Sequence, residues 1–194
     1  MSSQTEVVGL SGSRRDGSYT RTAVQVALAA SQHGGADTTL FDLRSLDIPP
    51  FDPDAPIGDD VERLARGVRR ADAVILGTPM YHGSYSGVLK NAIDHCGFDE
   101  FEDKTVGLLA VSGGSFPITA LEHLRSVCRS LNAWVLPYEA ALPRVSSVIE
   151  NDRIVDEKLA QRVETLGRRV VKYSSIEPHQ ESFEGEQNVG AIGR

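Results

Sequence analysis

Three short segments hold the residue types able to bind or react. In Ser11-Gly12-Ser13-Arg14-Arg15-Asp16-Gly17-Ser18-Tyr19-Thr20, four aliphatic hydroxyls, two arginines and two glycines fall within ten residues. The hydroxyls of Ser11, Ser13, Ser18 and Thr20, the Arg15 or Arg14 guanidinium and the free amides of a helix beginning near Ser18 would converge on an anion. Each charge-assisted hydrogen bond of that kind is worth about 1.5–3 kcal/mol. A helix cap accounts for one of these serines but not for the whole set. The spacing Gly12-x4-Gly17 is that of a nucleotide-hydrolysing loop, but Ser18 stands where its lysine belongs. G-x-G-x-x-G and Cys-x5-Arg are both absent, so the anion is held rather than cleaved.

The second segment, Thr78-Pro79-Met80-Tyr81-His82-Gly83-Ser84-Tyr85-Ser86-Gly87, combines proline, two glycines and two aromatics. It reads as a rigid loop presenting amides beside a flat surface, suited to a planar heteroaromatic ring, or as an ordinary turn with a buried Tyr and a capping Ser. The third, Ser112-Gly113-Gly114-Ser115, lets a ligand approach the backbone closely, although by itself it reads as a strand-to-helix turn.

The elements that must position these segments follow from apolar periodicity. Strand-like runs at Glu6–Leu10, Thr38–Leu43, Ala71–Thr78, Lys104–Val111 and Ala133–Leu136 alternate with helical stripes. The stripes run through Ala23–Ala30, Val61–Val68, Val88–Ile93, Leu121–Leu131 and Val155–Val170. Five strands alternating with five helices predict an α/β fold with a parallel sheet covered on both faces. In such sheets ligands sit outside the C-terminal strand ends, and all three segments leave such ends.

Composition narrows the class. The 194 residues carry 20 Lys+Arg against 27 Asp+Glu, a net charge of −7 that argues against wrapping nucleic acid or lying on an anionic membrane. No apolar run is long enough for a membrane span, no secretory pattern opens the chain, and two cysteines form no disulfide framework, so a cytoplasmic location is expected. His33, His95 and His123 lack metal-ligand spacing, and no metal site is expected. Lys90 and Asp94, at i and i+4, read as a surface pair. Trp134 and Phe116 read as core, and Cys96 and Cys128 as buried small residues.

Together the three segments resemble the NADPH-dependent FMN reductase family, flavodoxin-like enzymes that include chromate, quinone and azo-dye reductases. GSRRDGSYT is similar to that family's G-S-L-R-x-x-S-x-N loop, with Arg14 in place of an apolar residue and Thr20 in place of Asn. TPMYHGSYSGVLKNAIDH resembles T-P-x-Y-N-x-S-x-P-x-x-L-K-N-x-x-D, with His82 for Asn and Ser86 for Pro. The third segment is similar to the family's glycine-rich loop.

The resemblance implies a flavodoxin-like three-layer α/β/α sandwich whose five-stranded parallel sheet runs in the order 2-1-3-4-5. It implies one FMN-binding domain over residues 1–173; the stretch 174–194 lies outside the resemblance and, lacking any apolar period, reads as a flexible tail or as an arm that packs on a neighbouring subunit. Ser13, Arg15, Ser18, Tyr19 and Thr20, helped by Ser11, would hold the FMN phosphate. Pro79, Met80, Tyr81, His82 and Gly83 would line the ribityl chain and ring edge, and Ser112, Gly113 and Gly114 would close the pyrimidine end. NADPH or NADH would deliver hydride to the flavin, which would pass electrons to a small acceptor such as free flavin, a quinone, an azo compound or a metal oxyanion. No side chain need act as acid or base. Arg14 is a partner for the NADPH 2′-phosphate or a solvated surface residue. A homodimer or tetramer is expected. The alternative is a flavodoxin-type electron carrier that holds FMN without oxidising NAD(P)H.

Overall fold

The computed structural model describes residues 4–175. Strand β1 (Glu6–Ser11) leads through the Ser/Gly/Arg segment into helix α1 (Tyr19–His33), and β2 (Asp37–Asp42) follows. A long loop then precedes α2 (Asp59–Arg70), β3 (Ala73–Pro79), α3 (Gly87–Asp94) and a single turn, α4 (Phe98–Phe101). After β4 (Thr105–Val111) and α5 (Ile118–Ser130) come two short strands, β5 (Trp134–Val135) and β6 (Ala140–Leu142), and a small hairpin of β7 (Ile149–Glu150) and β8 (Arg153–Ile154). Helix α6 (Glu157–Lys172) closes the fold.

The parallel sheet runs β2-β1-β3-β4-β5, the order that the resemblance implies. Its fifth position is shared. Trp134 and Val135 pair with Thr105 and Val106, whereas Ala140–Leu142 pair with Leu109–Val111. The Pro137-containing stretch between them leaves the ladder because proline cannot donate to it. Two elements lie beyond the sequence expectation, the turn α4 and the β7–β8 hairpin. The last helix starts at Glu157, capped by Asp156, so Val155 lies before it and is half exposed.

Every residue of β3 and β4 is buried, as expected for central strands covered on both faces. Alternation divides the side chains. Val8, Leu10, Val74, Leu76, Val106 and Leu108 face the layer of α2, α3 and α5. Val7, Ile75, Leu109 and Val111 face α1 and α6. The tail expected from residue 174 falls outside the described residues except for Ser174 and Ser175.

Two aromatic expectations need correction. Phe116 is 77% exposed and Trp134 49% exposed, so neither belongs to the core. Phe116 follows the Gly113-Gly114 turn at a strand end, and Trp134 opens an edge strand; neither place has a second layer to bury a ring.

Helices α1 and α6 touch at backbone distance. A Cβ at Gly167 would stand 2.0 Å from the Ala27 carbonyl oxygen, and Ser31 Oγ donates to both Ala27 O and Gly167 O, at 3.1 and 3.0 Å. Gly167→Ala would gain about 1 kcal/mol of helix propensity, but the clash meets fixed backbone rather than a yielding side chain. It is expected to lower unfolding stability by about 1–3 kcal/mol net, read as a fall in urea midpoint at unchanged slope.

Candidate functional site

The first segment bends at the C-terminal end of β1. Ser18 caps α1, its hydroxyl oxygen accepting from Arg21 N–H at 3.1 Å. The Tyr19 and Thr20 amides at the helix start have no intrahelical acceptor and carry the positive end of the helix dipole. Ser13 is buried and its Oγ accepts from Arg15 N–H at 3.3 Å. Ser11 Oγ is fully buried and has no hydrogen-bond partner in the chain, a condition that buried hydroxyls rarely tolerate without a ligand or water. Arg15 is exposed, its guanidinium 5.8 Å from the Tyr19 ring centre.

The second segment makes a two-residue hairpin. Tyr81 and Ser84 exchange both backbone hydrogen bonds, at 3.0 and 3.1 Å. His82 (φ 50°) and Gly83 (φ 82°) occupy the left-handed region between them, the geometry of a type I′ turn. Asn, His and Gly are the residues that tolerate this conformation, which explains how His82 replaces the Asn of the related pattern without breaking the turn. The hairpin is braced from α5: Ser84 Oγ and His123 Nδ1 are hydrogen-bonded at 2.9 Å, and Thr119 Oγ1 donates to Met80 Sδ at 3.4 Å. Thr119 and His123 are one helical turn apart and face the same way.

The third segment closes the other side. Met80 N–H donates to Val111 O at 2.8 Å, joining the second and third segments. Ser112 Oγ donates to Gly114 O, and Ser112 O accepts from Val145 N–H at 2.9 Å. A Cβ at Gly113 or Gly114 would meet nothing within 4 Å, so these glycines border open space rather than a neighbouring element.

Between the three lies an open cleft of about 150 Å³. Of the residues expected at the site, Ser13, Arg15, Tyr19, Thr20, Pro79 and Met80 line it, as do Tyr81, Ser112 and Gly113. Ser11, Ser18, His82, Gly83 and Gly114 do not line this cleft; they support the loops that do. Sequence reasoning missed Val145 and Ser146, which form a further wall. They follow the C-terminal end of the fifth strand position, and the strand-end rule applied to that crossing would have found them. It also passed over His123, whose contact with Ser84 spans 39 residues and has no local signature. A wider groove of about 400 Å³ between α1 and α6 lies against helix surfaces, away from the strand ends.

A phosphate fits the first loop. A buried hydroxyl lacks a partner, helix amides are free, and one exposed guanidinium lines the cleft. A flat group suits the side of the cleft between Pro79–Tyr81 and Ser112-Gly113, where a Cβ at Gly113 would meet nothing within 4 Å. The cysteines take no part. Cys128 is buried, Cys96 is half-buried rather than fully so, and burial pushes both thiols up to about 12. Glu100 raises that of Cys96 further. Lys90 and Asp94 form the expected surface pair at 2.5 Å.

These features place an anion-accepting turn and an open cleft at the strand ends of a flavodoxin-type sheet, and comparison with known proteins gives the family. Residues 5–146 match the NADPH-dependent FMN reductase family, and the chain belongs to that family. It is 37% identical over 136 residues to an FMN-dependent NADPH-azoreductase of Staphylococcus saprophyticus, covering 67% of this chain and 72% of that one. Its fold is similar to that of an NADH:FMN oxidoreductase (TM-score 0.73, 22% identity, 90% and 92% of the two chains covered). It is equally similar to the NAD(P)H:acceptor oxidoreductase FerB of Paracoccus denitrificans (TM-score 0.73, 22% identity, 88% and 97%). With this membership the chain is an FMN-dependent NAD(P)H oxidoreductase acting on small acceptors.

Two measurements check the thiol burial and the hairpin brace. With both thiols near 12, only about one in ten thousand is ionised at pH 8, so a disulfide reagent should label the native protein slowly and the denatured protein fast. Rapid native labelling would contradict this burial. Removing His123 as His123→Leu should weaken binding of riboflavin and FMN by the same factor, since the brace acts on the ring end. His123→Asn, which keeps a polar atom near the Nδ1 position, should restore it.

Proposed function

We propose that the cleft at the C-terminal ends of β1, β3 and β4 holds FMN as the working group of an NAD(P)H oxidoreductase with small aromatic acceptors, azo compounds among them. FMN held there would supply the hydride and electron chemistry, and the chain's residues would bind and orient it. Ser13, Thr20 and Arg15, with the α1 amides, hold the phosphate, while Ser11, expected as a helper, lies buried behind the loop. Ser18 keeps the helix start in place while its O–H remains free to donate. Pro79, Met80 and Tyr81 flank the ribityl chain and ring, the His82 and Gly83 amides meet the ring edge, and Ser112, Gly113 and Gly114 border the pyrimidine end. Amides there would offset negative charge developing on the ring. The observation that carries the assignment is that Ser13, Arg15 and Thr20 line one cleft at the Ser18-capped start of α1, where the first helix amides lack an intrahelical acceptor.

We take residues 1–173 as a single catalytic unit working in the reducing cytoplasm, consistent with two free cysteines. Tyr81, Phe116 and Ile118, each at least half exposed, are apolar surface close to the cleft, and a second copy of the chain covering them would complete the site as a homodimer. A monomeric mass by light scattering at working concentration would rule that out.

The decisive test is the visible spectrum after incubation with FMN and desalting, followed by addition of NADPH. A retained flavin spectrum that bleaches with NADPH alone supports the reading. A spectrum that bleaches only through a partner reductase makes the protein an electron carrier, and a colourless protein with no affinity on titration removes the cofactor assignment. Arg15→Ala should cost about 1.5–3 kcal/mol in FMN affinity while leaving riboflavin, which lacks the phosphate, unaffected.

A further inference from the structure

Among the described residues the non-glycine positions with positive φ are His82, Asp103, Asn132, Arg144, Asn151 and Asp152. All but one are His, Asp or Asn, the types that tolerate the left-handed region. Arg144 (φ 47°, ψ 44°) is the exception. Its long aliphatic stem has no short polar group to bond the local backbone, so the conformation is strained.

The main chain on both sides holds that strain in place. Arg144 N–H donates to Gly114 O at 2.9 Å and Val145 N–H to Ser112 O at 2.9 Å, tying this stretch to the third segment. Ser147 N–H and Ser147 Oγ both donate to Arg144 O, at 3.0 and 2.9 Å. Val145 is buried in the core on the side of α1 and α6. All of these contacts would serve a glycine equally well and without strain. The fold therefore gives no reason for arginine, which is exposed and whose guanidinium has no ion-pair or hydrogen-bond partner among the described residues.

The position is the rim of the cleft at the strand ends. Gly113, in the turn to which Arg144 is bonded, lines that cleft, and so do Val145 and Ser146, which follow Arg144 in the chain. Arginine is long enough to extend over the turn. No carboxylate lines the cleft, and the one charged side chain that does is Arg15, on the side of the first segment. The chain as a whole carries a net charge of −7, which repels anions wherever no local cation offsets it.

We propose that Arg144 is a specificity-determining residue, which draws flat acceptors bearing a carboxylate or sulfonate to the Gly113-Gly114 side of the cleft. This rests on the reductase reading above. Arg15 is committed there to the cofactor phosphate, so an anionic substituent on the acceptor is met by Arg144. Its guanidinium offers a planar fork that matches such a group with two parallel hydrogen bonds.

The test compares azobenzene-4-carboxylate with azobenzene-4-carboxamide, which share a shape and differ by a charge. With the FMN-loaded full chain and NADPH, the carboxylate is expected to be preferred about tenfold or more in kcat/KM, the scale of one charge-assisted contact. The same preference is expected in equilibrium binding without donor, shrinking as salt is raised. Arg144→Gln should remove it and Arg144→Glu should reverse it. Arg144→Gly should remove it while raising the urea midpoint, since glycine releases the strain; loss of preference is then not loss of fold. A preference that survives Arg144→Gln and Arg144→Gly overturns the proposal, as does equal handling of the two probes by the unaltered protein. A urea midpoint that falls in Arg144→Gly removes the strain from which the argument starts. An FMN affinity that falls in Arg144→Gln by as much as the acceptor preference also overturns it, because the guanidinium would then serve the cofactor. A chain that neither holds FMN nor oxidises NAD(P)H fails the reductase reading instead, and probe binding without donor still decides the role of Arg144.

Discussion

The site depends on one junction, where the first turn after β1 is tied to the end of β3 and the start of α3. Gly12 N–H donates to Gly77 O at 2.8 Å, and Ser86 Oγ donates to Gly12 O at 2.6 Å. Ser86 N–H donates to Thr78 Oγ1 at 2.9 Å, and Thr78 Oγ1 in turn donates to Pro79 O. All of these groups are buried, where an unmade hydrogen bond costs about 1–3 kcal/mol, so the loops hold one relative placement. The close approach also dictates residue type: a Cβ at Gly12 would lie 2.7 Å from Leu89 Cβ. The turn after β1 and the Tyr81–Ser84 hairpin are thus held as one rigid unit. In the proposed site, a nucleotide gripped at its phosphate would find its ring positioned with little further ordering cost.

The junction also explains why Ser86 can stand where the related pattern has proline. Proline at that position would fix the backbone and omit the amide. Serine instead supplies a hydroxyl that bridges two loops and caps α3, accepting from Leu89 N–H at 3.2 Å. Its N–H is used as well. The substitution exchanges covalent stiffness for three hydrogen bonds at the same place.

Much of this was legible in the chain. The buried runs at Ala73–Pro79 and Thr105–Val111 have no polar alternation and so announce central strands, and the alternation of strand and helix places the three loops on one sheet edge. The first loop was readable because its hydroxyls and arginines are local in sequence. Three things were not. The split of the fifth strand depends on Pro137 meeting a particular register of β4, and register is a long-range property. The Ser84–His123 contact joins residues far apart, neither unusual on its own. Phe116 and Trp134 looked like core because large aromatics usually are, but the strand-end turn and the sheet edge offer nothing to cover them.

The broken fifth position bears on self-association through the backbone. An outermost strand that presents an unbroken row of free amides and carbonyls invites another chain to add to it, a hazard that natural sheets blunt with short strands, proline and charge. Here that row is cut into pieces of two and three residues by the Leu136–Glu139 stretch, with Pro137 in the gap and Glu139 held by Arg125. At the opposite margin β2 begins and ends in aspartate. Neither margin offers a long neutral template for fibril-like growth, so copies of this protein are steered towards contacts between side-chain faces rather than extension of the sheet.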